Sequence, residues 1–220
     1  GMTENFGYSH GVRPGQGKVG FVGTPYEGVQ QRISEEGEVQ VRSPGMMMGY
    51  FKEPEKTAES FKDHGWFGTR GRGEIEAEGR RRITGRTKEL FKTSKGKYVA
   101  PAPIENKLGT HSDIGMVCVS GADFTQPCAL VMLAEEVFAK RDDPEFRTRV
   151  TAEFEELIDS VNATLSPHEQ LAFIVVVKDQ WLIENSFLTP TMKIKRNKIE
   201  EEYTDMLKGW YGAKKKVIWQ

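Results

Sequence analysis

Seven apolar residues, Phe146, Val150, Phe154, Leu157, Ile158, Val161 and Leu165, recur at steps of three and four with polar residues between them. That is the period of one helical face, and it predicts an amphipathic helix of about six turns. A helix with a single apolar face has to lie on something. Three short continuous apolar runs, Ile114–Ser120, Ala129–Leu133 and Phe173–Val177, read as buried strands that supply the surface. The chain is 220 residues long, with 37% hydrophobic and 29% charged residues, enough for one large domain or two small ones.

Punctuation divides the chain further. Between Gly17 and Ser43, short partly alternating runs (18–22, 29–33 and 38–42) are separated by Gly23, Pro25, Gly28 and Gly37, which predicts a small sheet or partial barrel. Glu53–Phe61 suits a short helix with Pro54 in its first turn. Glu74–Ile83 reads as a hairpin turning at Glu78-Gly79. The polar stretch Thr84–Lys88 interrupts the apolar pattern and marks a domain boundary. Beyond it the order is strand at 89–92, helix from Pro103, two strands, the long helix, a strand, and a charged helix over 197–208. Mixed order with hairpins and covering helices argues α+β.

The charge balance is near neutral, with Lys plus Arg 31 against Asp plus Glu 32 and a net charge of −1. It gives no global pull toward nucleic acid. No run approaches the roughly 18–20 apolar residues of a membrane span. Cys118 and Cys128 have neither metal-ligand nor disulfide spacing, which suits a reducing cytosol. The four histidines, at 10, 64, 111 and 168, have no ligand spacing and read as surface or loop residues. Met46–Met48 reads as core filling.

Two loops could carry chemistry. Thr93-Ser94-Lys95-Gly96-Lys97 is polar and glycine-containing, so backbone amides and ammonium groups could cradle a phosphate there; taken alone, an exposed basic turn explains it as well. Lys193 follows a Thr-Pro-Thr turn just before a helix, where an ammonium could meet an anionic transition state; an ordinary basic helix start is the alternative.

Read together, these fragments stand in a specific order. Gly1–Glu4, Gly49–Thr57, Gly65–Phe67 with Thr69, Gly73–Ile75, Ile83–Leu90, Thr93–Pro101 with Ile104-Glu105, and Leu188–Lys193 resemble the blocks of adenylate-forming enzymes, closest to the long-chain fatty acyl-CoA synthetases. The resemblance spans essentially the whole chain. It implies that residues 1–85 are the β-rich end of a large adenylation domain, 86–88 a hinge, and 89–220 a mobile C-terminal domain. It implies a large N-terminal domain, supplied in cis or in trans, that carries the phosphate loop and most of the acyl pocket. By resemblance, Thr3 contacts the AMP phosphate, Glu4 ligates Mg²⁺, Arg86 bonds the ribose hydroxyls and Lys88 is the hinge residue. Lys193 is the catalytic lysine of adenylation, and Ser94, Lys95, Gly96 and Lys97 face CoA. The implied substrates are a fatty acid, ATP and CoA, with no nucleic acid; the location is cytoplasmic, with a membrane-peripheral parent left open.

One departure from the family matters. Its Thr-Gly-Asp stands here as Thr69-Arg70-Gly71, so the carboxylate that binds the ribose is gone. The loss of that contact costs on the order of 2–4 kcal/mol of nucleotide binding, and an Arg in place of Gly is strained wherever the backbone needs positive φ. Two functions follow: a piece of an ATP-dependent fatty acid–CoA ligase that is incomplete alone, or a degenerate, non-catalytic module that binds nucleotide, CoA or a protein.

Overall fold

The computed structural model describes every residue but Val19, Thr87 and Lys88. Two compact units divide the chain, Gly1–Glu89 and Leu90–Gln220. The expected hinge residue Lys88 lies outside the described residues.

The first unit is built from antiparallel pairs. Strand β1 (His10–Gly11) pairs with β2 (Thr24–Pro25). The hairpin of β3 (Gln30–Ile33) and β4 (Glu38–Arg42) turns at Gly37, whose φ of +81° suits glycine. Helix α1 (Pro54–Ser60) has Pro54 in its first turn, as expected, and leads into β5 (Phe61–Lys62). Strands β6 (Trp66–Ile75) and β7 (Arg81–Arg86) form the hairpin expected around Glu78-Gly79. The sheet order is β3-β4-β6-β5, with β7 on β6. Its small core is Val39, Val41 and Phe67.

Four expectations are corrected here. The run 18–22 contains no strand among its described residues: Gly20 and Gly23 flank its end with φ near +85° and +87°, which breaks extension. Instead, Val22 N donates to Arg81 O at 2.8 Å and Arg81 N to Gly23 O at 3.0 Å. Thr84–Arg86 continues β7, because a half-exposed strand is held by its ladder and needs no apolar side chains. His10 is buried, its ring between Ser9 Oγ at 2.7 Å and Gln31 Oε1 at 2.8 Å. Met48 is fully exposed, as nearly are Phe6 and Phe51.

The second unit opens with β8 (Phe91–Lys92) paired to β9 (Tyr98–Val99), then α2 (Pro101–Leu108). Strand β10 (Ile114–Ser120) runs antiparallel to β11 (Cys128–Leu133). After α3 (Glu135–Phe138) and α4 (Pro144–Asn162), β12 (Ile174–Val176) joins β11 in parallel. Helix α5 (Arg196–Gly212) is followed by β13 (Val217–Trp219), parallel to β12. The four-stranded sheet is ordered β10-β11-β12-β13.

Both faces of this sheet are covered. On one, Val117, Val119, Val131 and Val176 meet Ile104 and Leu108 of α2 and Phe146, Val150, Phe154, Ile158 and Val161 of α4. On the other, Cys118, Leu130 and Val175 meet Ile199, Tyr203 and Leu207 of α5. That is why the strand sequences are continuously apolar rather than alternating. Asp143 caps α4 by accepting the Phe146 amide at 2.9 Å, and Pro144 takes a first-turn position. The expected helical residue Leu165 lies past its end, still packed on the core. Burying each large apolar side chain of α4 contributes about 1.5–3 kcal/mol. The two thiols are free and buried, and burial pushes that of Cys128 up to about 12.

Candidate functional site

In the first unit, Thr3 and Glu4 sit in a single 3-10 turn, Thr3–Asn5. The turn is tied down from three sides. Met47 N donates to Glu4 O at 2.7 Å. Ser43 Oγ donates to Asn5 Oδ1 at 2.7 Å, and Asn5 Nδ2 to Tyr8 O at 2.6 Å, with Asn5 fully buried. The Tyr50 hydroxyl donates to Glu4 Oε1 at 2.9 Å. Burial, and next the hydrogen bond to Glu4, raise the Tyr50 hydroxyl above its ordinary range, while the charge of Arg70 opposes them. Thr3 is exposed and Glu4 half-buried, and one carboxylate oxygen of Glu4 is held by Tyr50. Among the described residues there is no cluster of three or more His, Cys, Asp or Glu able to hold a metal. A lone carboxylate suits Mg²⁺ held mainly by nucleotide phosphates and water. The sequence pattern assigns no role to Tyr50, Asn5 or Ser43; of the three, only Tyr50 lies within one of the ordered blocks, Gly49–Thr57.

Gly71 and Arg86 are direct cross-strand partners on β6 and β7. The Arg86 side chain is 60% exposed, with Nη1 3.5 Å from Glu89 Oε1. The register of β4 on β6 shifts between Glu38 and Gln40, and Thr69–Gly71 forms the bulge. Thr69 Oγ1 donates to Val39 O at 2.7 Å and accepts Gly71 N at 3.2 Å; Arg70 N donates to Glu38 Oε1 at 2.8 Å. Arg70 has φ +58°, a left-handed conformation that favours glycine. Gly71 has no positive φ, and a Cβ there meets only Thr69 Oγ1 at 3.3 Å and Gly85 O at 3.9 Å. A side chain at this position is tight against Thr69 Oγ1, which is held by Val39 O and Gly71 N and has to give by a few tenths of an ångström.

In the second unit, the 93–97 loop is the turn between β8 and β9. Its amides are already engaged: Thr93 N donates to Lys97 O at 2.9 Å, Ser94 N to Phe124 O at 2.9 Å and Gly96 N to Thr93 O at 2.8 Å. Lys97 N donates to Thr93 Oγ1 at 3.3 Å, and Thr93 itself is buried. The expected cradle of backbone amides is thus corrected to a closed turn, because four of its five N–H groups already have acceptors, three within the turn and one at Phe124 O. What it presents are the exposed side chains of Ser94, Lys95 and Lys97 around Gly96, whose φ is +76°.

Lys193 stands on a second closed loop. Thr189 N donates to Lys193 O at 2.8 Å, Lys193 N to Thr189 Oγ1 at 3.1 Å, and Lys195 N to Phe187 O at 2.7 Å. Leu188 and Ile194 form an isolated bridge at the loop's base, with Leu188 fully buried. Three residues on, Arg196 opens α5. Its Nη1 lies 2.8 Å from Glu105 Oε1 and its Nη2 donates to Glu105 Oε2 at 3.0 Å. Glu105 Oε1 also accepts Val119 N at 2.7 Å, and Arg196 Nη1 donates to Val119 O at 2.8 Å. Nothing in the sequence pattern pairs these two residues. The lock ties the start of α5 to α2 and β10, and so fixes the arm that carries Lys193. The Lys193 side chain is exposed and forms no ion pair with any described residue.

Comparison with known proteins bears on the family and the fold. A family model described as AMP-binding enzyme C-terminal domain matches residues 89–215. The long-chain-fatty-acid–CoA ligase FadD15 of Mycobacterium tuberculosis is 31% identical over 88% of this chain and 34% of its own length. Fatty acyl-CoA synthetase A of Dictyostelium discoideum is 28% identical over 98% of this chain and 37% of its own length. Among solved structures, an O-succinylbenzoate coenzyme A synthetase of Bacillus subtilis in complex with AMP superposes with a TM-score of 0.69 at 25% identity, over 90% of this chain and 39% of that one. The chain thus spans little more than a third of the length of the curated relatives it matches.

Proposed function

The chain belongs to the AMP-binding enzyme family, through that family's C-terminal domain, and on this premise we propose that it is the lysine-bearing part of an AMP-forming long-chain fatty acid–CoA ligase. The observation that carries the reading is Lys193: an exposed ammonium, unpaired by any described acid, on a loop braced at both ends. Attack of a carboxylate on the α-phosphate of ATP gathers negative charge, and a fixed cation stabilises it. The resulting acyl-adenylate, formed as pyrophosphate leaves, then yields a thioester when the CoA thiolate attacks the acyl carbon and AMP leaves. In the first unit Thr3 meets the phosphate, Arg86 the ribose, and Glu4, oriented by Tyr50, one position on Mg²⁺. When bound, that ion supplies charge neutralisation on the phosphates. In the second unit Lys95 and Lys97 attract the phosphates of CoA. Lys88 serves as the pivot between the two half-reactions. The first half-reaction needs an N-terminal adenylation domain, so the isolated chain carries out no complete adenylation. Buried free thiols support a reducing compartment such as the cytoplasm. No described helix is long and apolar enough to cross a membrane.

The test is a chimera in which this chain replaces the matching segment of the M. tuberculosis ligase FadD15. It should catalyse ATP–pyrophosphate exchange with a long-chain fatty acid. Lys193→Ala should abolish exchange yet retain thioester formation from supplied acyl-adenylate. Exchange that is unchanged in the variant refutes the assignment.

A second reading, a non-catalytic ligase-like module, is favoured by Gly71 and by the left-handed Arg70. Under it the chimera is inert in both half-reactions, while the 220-residue chain still binds AMP or CoA by calorimetry.

A further inference from the structure

We propose that the free edge of β13 is a docking strand for an acidic, extended segment of a partner protein. Strand β13 ends its sheet and pairs only with β12. In a parallel ladder, alternate residues turn their N–H and C=O groups to the same side. Ile174 N donates to Lys216 O at 2.8 Å and Gln220 N to Val176 O at 3.1 Å, which sets Lys216, Ile218 and Gln220 toward β12. The backbone groups of Val217 and Trp219 therefore point outward, where no described strand lies. They are two donors and two acceptors in the spacing an added strand requires.

A groove of about 530 Å³ runs beside this edge, walled by Arg147, Thr148 and Thr151 of α4 and by Lys215, Val217 and Trp219. Trp219 is fixed in it. Its Nε1 donates to Thr151 Oγ1 at 2.9 Å, and the Arg147 guanidinium lies 4.8 Å over its ring. Arg147 forms no ion pair with a described residue, and its Nε is buried without a partner. Lys214 and Lys215 are exposed and unpaired as well, whereas Lys216 is neutralised by Asp159 at 2.6 Å. No carboxylate lines the groove.

The charge selects the occupant. Lysines and short length also guard sheet edges against self-pairing, and here they do so: a second copy would set Arg147 and Lys215 against their like. An alternating acidic strand meets the same groups as partners. It can place carboxylates at Arg147 and Lys215 on the α4 side, while its alternate apolar side chains fall on the opposite side of the sheet with Ile218. Strand β13 follows residue 215, the last that the family model matches, and it uses none of the residues assigned to adenylation. The inference therefore stands apart from the ligase reading.

The test titrates the 220-residue chain with a capped heptapeptide alternating Glu and Val, and separately with one alternating Lys and Val, followed by amide NMR. Saturable shifts centred on Val217–Trp219, with slowed exchange of the Val217 and Trp219 amides, are expected for the acidic peptide alone. Val217→Pro removes one outward donor and leaves the β12-facing bonds of Ile218 in place; it should weaken binding about tenfold. Arg147→Gln with Lys215→Gln, which leaves the backbone untouched, should weaken it by about as much. Equal binding of the lysine peptide, shifts centred elsewhere, no shifts, or undiminished binding by the Arg147/Lys215 variant each overturns the proposal.

Discussion

Replacing Arg196 by Met should be among the most damaging single changes in the second unit. Arg196 and Glu105 face each other through two nitrogen–oxygen contacts of 2.8 and 3.0 Å, with side chains only 12% and 15% exposed. Removal of the guanidinium leaves the Glu105 carboxylate in that setting with the Val119 amide still donating to it, and strips Val119 O of its Arg196 donor. Breaking a buried pair from one side costs about 3–5 kcal/mol; the slight exposure argues for the lower end, about 3 kcal/mol. Urea unfolding read by tryptophan fluorescence reports it, because Trp181, Trp210 and Trp219 all belong to this unit. The double variant Glu105→Met/Arg196→Met should recover most of the loss, since no charge is then left alone. Arg196→Lys should fall between, keeping the charge without the fork. A single-variant loss under about 1 kcal/mol, the range of surface pairs, or a double variant no better than the single, refutes the reasoning.

Other outcomes follow from the first unit. Gly71→Asp, which needs Thr69 Oγ1 to shift by a few tenths of an ångström, should tighten AMP binding about 30-fold or more in a calorimetric titration of the chain; unchanged affinity means Gly71 and Arg86 do not frame a ribose. Arg70→Gly should stabilise this unit by about 0.5–1 kcal/mol, the relief of a left-handed residue less the entropy of glycine, read from Trp66, whose β6 carries the bulge; a loss instead means that Arg70's contacts outweigh its strain. Burial, then the charge of Arg81, lowers His10 from its ordinary 6.5 to about 4. The unfolded chain binds the proton more readily, so stability is full above pH 6.5 and falls as the pH drops toward 4. His10→Gln should flatten melting temperature over that window, and an unaltered slope places the titration elsewhere.

What could be read from the sequence tracks how local its cause is. Helix α4 and strands β10, β11 and β12 were legible because burial on one helical face, or on both strand faces, writes itself into consecutive residues. Strand β6 was legible only at its end. Gly68, Gly71 and Gly73 interrupt its pattern, yet Gly73 is there because a Cβ would strike Val39 Cγ2 at 2.8 Å and Arg82 O at 2.5 Å. Strand β13, three residues after a lysine run, is too short to show any period and exists because β12 pairs with it. Of the candidate site, the ordered blocks gave the lysine and the carboxylate. They did not give what holds them: Tyr50 reaches Glu4 across 46 residues, and Arg196 reaches Glu105 across 91. Such partners follow from tertiary packing, which no single window contains.

The closed turn at 93–97 also sets how an anion can be read there. Four of its five amides are already committed, three within the turn and that of Ser94 to Phe124 O, so Lys95 and Lys97 act as point charges at the ends of long, mobile stems. Attraction of that kind has no preferred angle and little power to tell phosphate from sulfate. It fades as ionic strength rises, since at physiological salt the field of an exposed ammonium is screened within about 8 Å. Discrimination among anions at this loop would have to come from whatever surrounds the rest of the ligand.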